Sequence, residues 1–196
     1  MSEANTKTFE DNKKLTVVNL LAGPGCGKSV LSAQLFAGMS IAGYKVELVH
    51  EWAKHEGVWE QRTNIFTEQD FITSNQHRLI RRLVNHDIDY AVVDSSLLLA
   101  GIYAPSWFPS TFFPFILDQY HTYDNINIVL ERNPELTYKQ TGRNEDFVNA
   151  LRKDAEIVAL LERYNIPYHT VKVGPTAYDD AMSVIRDHYV CKYLHK

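Results

Sequence analysis

Apolar residues in this chain fall into short blocks divided by polar and glycine-rich turns. Residues 15–21 (LTVVNLL) are mostly apolar on both faces and end in Ala-Gly-Pro-Gly, the pattern of a buried strand. An apolar helix is expected over 29–41, and a second strand over 45–50 (KVELVH). From 67 to 85 the spacing becomes helical, with Phe71, Ile72, Leu79, Ile80, Leu83 and Val84 as the stripe. Thr67 is placed to cap that helix, with Asp70 three residues on. Residues 90–94 (YAVVD), 126–131 (INIVLE) and 168–173 (YHTVKV) predict three more strands. Between the last two, a helix opening at Asn144 carries apolar positions Phe147, Leu151, Val158 and Leu161, and a final helix runs through 181–188. Short strands, apolar on both faces and alternating with helices, predict an α/β fold with a parallel sheet covered by helices. Segment 103–115 breaks this rhythm with three prolines and five aromatic residues besides Tyr103, and predicts a loop–helix insertion. Its Trp107, Phe108, Phe112 and Phe113 serve either core packing or the stacking of a planar acceptor.

Composition narrows the class. The 196 residues suit a polar tail over 1–14 and a single domain over 15–196. Hydrophobic residues at 45% and charged residues at 22% exclude disorder, collagen and coiled coil. No apolar run approaches the roughly 20 residues needed to cross a bilayer, so no membrane partner is expected. The polar N-terminus lacks the apolar stretch of a secretion signal. Cys26 and Cys191 make no disulfide framework, and a cytoplasmic location is expected. A net charge of −4 excludes a basic nucleic-acid coat protein but leaves room for a local basic cleft that grips a phosphate.

The informative segment is Ala22-Gly23-Pro24-Gly25-Cys26-Gly27-Lys28-Ser29, lying between the first strand and the first helix. This is the setting of a phosphate-binding P-loop. Glycines let successive backbone N–H groups turn inward around an anion, and the helix N-terminus adds its positive end. The nucleotide-binding set is therefore Gly23, Pro24, Gly25, Cys26, Gly27, Lys28, Ser29 and Val30. Lys28 is placed for the β- and γ-phosphates of ATP, and the Ser29 hydroxyl for Mg²⁺. A dinucleotide fingerprint fails because Lys28 occupies its third glycine position.

The remaining motifs choose among P-loop branches. The only Asn-Lys, Asn12-Lys13, precedes the first strand and has Leu15 where a guanine-reading Asp belongs, which argues against a GTPase. Asp94 ends the third strand and is followed by Ser95 and Ser96, not by the second acid common in hydrolytic ATPases. Asp94 is a candidate for holding Mg²⁺ through water, or else a capping acid. Glu51, after the second strand, is a candidate to take the proton of an acceptor hydroxyl, or else a solvated glutamate opening a helix. His50 and His55 stand five residues apart, about 140° round a helix, and do not make a zinc pair. Gln76 falls on the apolar stripe, where it either reads the edge of an acceptor or is satisfied by backbone groups. Arg78, on the Phe71 side of that helix, approaches the acceptor or forms a surface salt bridge. Residues 132–145 read as a mobile lid whose Arg132 and Arg143 neutralise the transferring phosphoryl group, with Asp154 as a partner for a lid arginine.

The ordered set Gly23–Ser29, Val46-Glu-Leu-Val-His-Glu51-Trp-Ala-Lys54, Asn75-Gln76-His-Arg78, Val93-Asp94-Ser-Ser-Leu-Leu-Leu99 and Tyr138-x-x-x-Gly142-Arg143 resembles a bacteriophage P-loop family. That family carries an AAA label and is similar to nicotinamide riboside kinases and, more distantly, to deoxynucleoside and nucleoside monophosphate kinases. The resemblance implies a P-loop NTPase sheet in the order 2-3-1-4-5, a kinase-like lid and Mg²⁺-ATP-dependent phosphoryl transfer. It places an acceptor-side acid at Glu51, an acceptor-side glutamine at Gln76 and lid arginines at Arg132 and Arg143. Ser95 departs from the Arg that deoxynucleoside kinases carry after the third-strand acid. The implied acceptor is a nucleoside- or nucleotide-like hydroxyl, with a hydroxymethylpyrimidine in DNA as one form. The alternative is an ATPase switch acting on DNA or a protein partner.

Overall fold

The computed structural model describes residues 14–135 and 146–194, with side chains through 191. Five strands form one wholly parallel sheet in the order β2-β3-β1-β4-β5. They are β1 (Thr16–Leu21), β2 (Val46–Val49), β3 (Tyr90–Val93), β4 (Asp124–Glu131) and β5 (His169–Lys172). The helices are α1 (Lys28–Ile41), α2 (Gln69–Arg81), α3 (Ala100–Tyr103), α4 (Phe112–Tyr120), α5 (Phe147–Arg163) and α6 (Ala177–Leu194). The expected tail is outside the described residues except for Lys14, as are residues 136–145 of the expected lid, including Arg143.

Every residue of β1 is buried, because helices cover both of its faces. Side chains alternate along a strand, so Val18 and Leu20 point to one side of the sheet and Val17 and Leu21 to the other. Val18 and Leu20 pack with Leu31, Leu35 and Met39 of α1 and with Ala181, Met182 and Ile185 of α6. On the opposite side, Val17 joins Ile80 of α2 and Ile116 of α4, while Leu21 joins Ile157 and Leu161 of α5.

Helix boundaries differ from expectation for local reasons. A 3-10 turn over Thr63–Thr67 precedes α2, and the Thr67 hydroxyl donates back to the Asn64 carbonyl at 3.1 Å, so Thr67 does not cap the helix. The end of α2 comes at Arg81, and Asn85 turns the chain with φ 71°. Asp146 caps α5, its carboxylate accepting from Asn149 N–H at 2.8 Å. Phe147 and Leu151 are about half exposed; Leu161 is buried as expected, and Ala150 and Ile157 complete the buried face of α5. The final helix is longer than expected, beginning at Ala177. Within the aromatic insertion Phe113 packs into the core, whereas Trp107 and Phe115 remain exposed.

The centre of the sheet carries the largest stability cost. Leu20, fully buried in β1, predicts that Leu20→Ala lowers unfolding free energy by about 3 kcal/mol in a urea titration. A loss below about 1 kcal/mol would contradict the packing described here.

Candidate functional site

The loop between β1 and α1 is the centre of the site. Gly25 and Gly27 adopt φ of 73° and 99°, the left-handed region that side-chain-bearing residues avoid. These turns wrap the backbone at the start of α1, where the N-terminal amides of the helix are unpaired within it. Lys28 Nζ curls over its own loop, donating to the carbonyls of Ala22 at 2.7 Å and Gly23 at 3.1 Å. Those carbonyls hold the ammonium against the loop.

Behind the loop stands Asp154 of α5. Its Oδ1 accepts from Gly23 N–H at 2.6 Å, and its carboxylate pairs with the Arg132 guanidinium. Arg132 Nη2 also donates to the Pro24 carbonyl at 2.6 Å. A Cβ on Gly23 would come within 2.5 Å of the Ala150 carbonyl, so only glycine admits this approach of loop and helix. The expected pairing of Asp154 with an arginine is therefore present, and the arginine is Arg132. Its charge is committed to Asp154 and the loop backbone, and it does not line the chamber described below.

That chamber, of roughly 340 Å³, opens beside the loop and lies within the range of small-molecule sites. Pro24, Gly25, Gly27, Lys28, Ser29 and Val30 form one end. Glu51 and Lys54 enter from the segment after β2, and Ser95 and Ser96 from the turn after β3. Apolar groups, among them Val58, Trp59, Phe66, Ile72, Leu97 and Tyr103, form the remaining wall. Gln69, Thr73 and Gln76 of α2 add polar groups to it. Lys54, which ends a sequence motif that implies no role for it, places Nζ 3.4 Å from Ser29 Oγ. It lies on a short π-helix, Lys54–Trp59, a form whose wide turn is often found at functional sites.

Two acceptor-side expectations look different in space. Gln76 lines the chamber, but its amide is engaged by backbone on either side of Glu51, accepting from Trp52 N–H at 2.8 Å and donating to the His50 carbonyl at 3.2 Å. Arg78 does not reach the chamber. It lines a second groove with Arg81, His77 and Phe115, because it shares the outward face of α2 with half-exposed Phe71. The rings of His50 and His55 meet edge to face, 5.5 Å apart.

Asp94 is 3% exposed, and its Oδ1 has no hydrogen-bond partner among the described residues. A buried, unpartnered carboxylate oxygen is costly unless a cation or its water shell satisfies it. Asp94 is outside the chamber lining, which the Ser29 hydroxyl joins; both are oxygen donors of the kind Mg²⁺ takes. Gly23 and Cys26 are outside the chamber lining. The Cys26 thiol is buried and donates to the Leu130 carbonyl at 3.4 Å, and burial pushes its pKa up to about 11.

An AAA domain family model, AAA_28, matches residues 17–177, most of the chain. The chain belongs to this AAA domain family. Among solved structures, the AAA domain is similar to deoxyadenosine kinase from M. mycoides with bound dATP, at 18% identity and a TM-score of 0.53. That alignment covers 88% of this chain and 100% of the kinase. A gluconokinase from Sinorhizobium meliloti 1021 aligns at 13% identity and a TM-score of 0.50, over 93% of this chain and 97% of that one. These likenesses establish the kinase-like P-loop fold, with the sheet order expected for it. No curated protein matches the chain. No helix among the described residues is long and apolar enough to cross a membrane.

The two thiols are expected to separate cleanly. At pH 8 a thiol reagent should modify exposed Cys191 in the native protein and reach Cys26 only after unfolding, because the buried thiol stays protonated there. Equal rates at the two cysteines would show that the loop is not packed against β4 as described.

Proposed function

We propose that this protein is a kinase that moves the γ-phosphoryl group of Mg²⁺-ATP to a hydroxyl of an uncharged, nucleoside-like acceptor. The observation that supports this reading is that Glu51 shares one chamber with Lys28 and Ser29. A phosphate grip and a carboxylate opening on the same enclosed space suit transfer between two bound molecules. In this reading the loop amides and Lys28 hold the triphosphate, and Ser29 and Asp94 hold Mg²⁺, the latter through water. Bound there, the ion screens phosphate charge. Glu51 accepts the acceptor's hydroxyl proton on a carboxylate oxygen. As the acceptor oxygen bonds to the γ-phosphorus, the bond from that phosphorus to the bridging oxygen breaks, and its electron pair leaves with ADP. Lys54, beside Ser29, adds positive charge near the transferring group.

The chamber also bears on the acceptor class. Lys28 and Lys54 are its cations among the described residues, and both lie near the loop. The wall around Trp59, Phe66, Ile72 and Tyr103 offers aromatic and aliphatic surface, with no second phosphate grip among the described residues. A flat, uncharged body fits such a wall better than a nucleoside monophosphate does.

The test is transfer of radiolabelled γ-phosphate to nucleosides, nicotinamide riboside, nucleoside monophosphates, gluconate and hydroxymethyluracil-containing DNA. Nucleosides or nicotinamide riboside should be labelled in preference to monophosphates. Glu51→Gln should lower kcat by about 100-fold or more while ATP affinity stays within about threefold. Full turnover in that variant, or ATP hydrolysis with no labelled acceptor, would overturn the reading.

A further inference from the structure

We infer that Gln76 is a positioning residue that holds the Glu51 carboxylate in place, not a group that reads the acceptor. This deepens the kinase reading above and rests on its assignment of Glu51. The last sheet-like bond at the end of β2 runs from Asp94 N–H to the Val49 carbonyl, so the sheet no longer supports the chain at residues 50–52. There the side chain of Gln76 takes over. Its Oε1 accepts from Trp52 N–H at 2.8 Å, and its Nε2 donates to the His50 carbonyl at 3.2 Å. One primary amide thus anchors the peptide groups on both sides of Glu51. The orientation is dictated by the partners, since the reversed amide would set donor against donor and oxygen against oxygen.

Burial makes the clamp demanding. Gln76 is 5% exposed and lies on the inward face of α2 with Ile72, Thr73 and Ile80. A buried amide that already serves two backbone groups keeps one N–H and one oxygen lone pair, but both its nitrogen and its oxygen are held in place by the backbone, so it cannot turn to follow a ligand. The same helix holds the segment at a second point, where Phe71 meets the Trp52 ring edge to face at 5.2 Å. Helix α2 therefore carries the geometry of Glu51, while α1 carries that of Lys28 and Ser29. Proton acceptance depends on sub-ångström placement, and a 1 Å error is enough to cost about 100-fold in rate.

The experiment compares Gln76→Leu and Gln76→Glu in the native and Glu51→Gln backgrounds. Turnover is read with the panel nucleosides and with water as acceptors, Mg²⁺-ATP affinity by calorimetry, and backbone protection by hydrogen exchange. Gln76→Leu removes both bonds. Gln76→Glu keeps the acceptor facing Trp52 but loses the donor facing His50, and it provides a second variant if the leucine substitution prevents folding. Each should lower kcat roughly 10- to 100-fold. Acceptor KM and ATP affinity should stay within threefold, and neither substitution should cause a further loss when Glu51 is already Gln. The Trp52 amide should exchange at least tenfold faster in Gln76→Leu while interior amides of α2 keep their protection. A raised acceptor KM with kcat retained, an independent loss in the Glu51→Gln background, or unchanged protection at Trp52 would overturn the proposal. If Glu51→Gln alone keeps full turnover, the kinase reading fails and with it the positioning role, whereas faster Trp52 exchange would still show the clamp itself.

Discussion

The carboxylate of Asp154 is the fixed point around which the site is built. It receives the amide of Gly23 across 131 residues of sequence and pairs with Arg132, which in turn grips the Pro24 carbonyl. The exits of β1 and β4 and the second turn of α5 are thereby tied together behind one short loop. Without that tie, a loop whose turns depend on left-handed glycines would lose much of its entropy on closing around a ligand. With it, the amides are ordered beforehand, the condition under which fixed dipoles are most effective toward an anion. The pairing also solves an electrostatic problem. A carboxylate beside a phosphate site would repel its ligand, and the Arg132 charge cancels that field at its source.

In the kinase proposed above, this arrangement lets one loop serve two states. The contacts of Lys28 with the Ala22 and Gly23 carbonyls satisfy the ammonium when no phosphate is at hand. A triphosphate offers the same ammonium stronger, charge-assisted partners, so the lysine exchanges one set of oxygens for another and need not become unsatisfied. Asp154 and Arg132 engage the loop through other atoms, the Gly23 N–H and the Pro24 carbonyl.

Much of this was legible in the sequence because the decisive signals are local. The glycines, Lys28 and Ser29 sit within eight residues between a strand and a helix, and the spacing alone defines the cradle. The sequence offers Asp154 as the partner of an arginine, but the helix phase suggested by Phe147 and Leu151 is misleading, because both are about half exposed. The true inner face begins at Ala150, a residue too small to stand out in a hydrophobic pattern. Gln76 was correctly turned inward, but its partners are backbone atoms 24 and 26 residues away, and backbone groups leave no mark in a sequence. The charge of Arg132 and its place after β4 suit either a phosphoryl contact or a pairing with Asp154, and the sequence does not say which arginine Asp154 meets; in the structure it is Arg132. Lys54 gave no periodic signal at all, since the π-helix that carries it follows neither strand nor α-helical spacing.

The central claim is that the loop is an anion cradle held ready by the Asp154–Arg132 pair. Calorimetric titration of Mg²⁺-ATP into the native protein and into Arg132→Met tests it most directly. The native protein should bind with one-to-one stoichiometry, and the variant should bind at least about tenfold more weakly, the effect of leaving Asp154 unneutralised behind the loop. Absence of binding by correctly folded native protein, or equal affinity in the two, would contradict it.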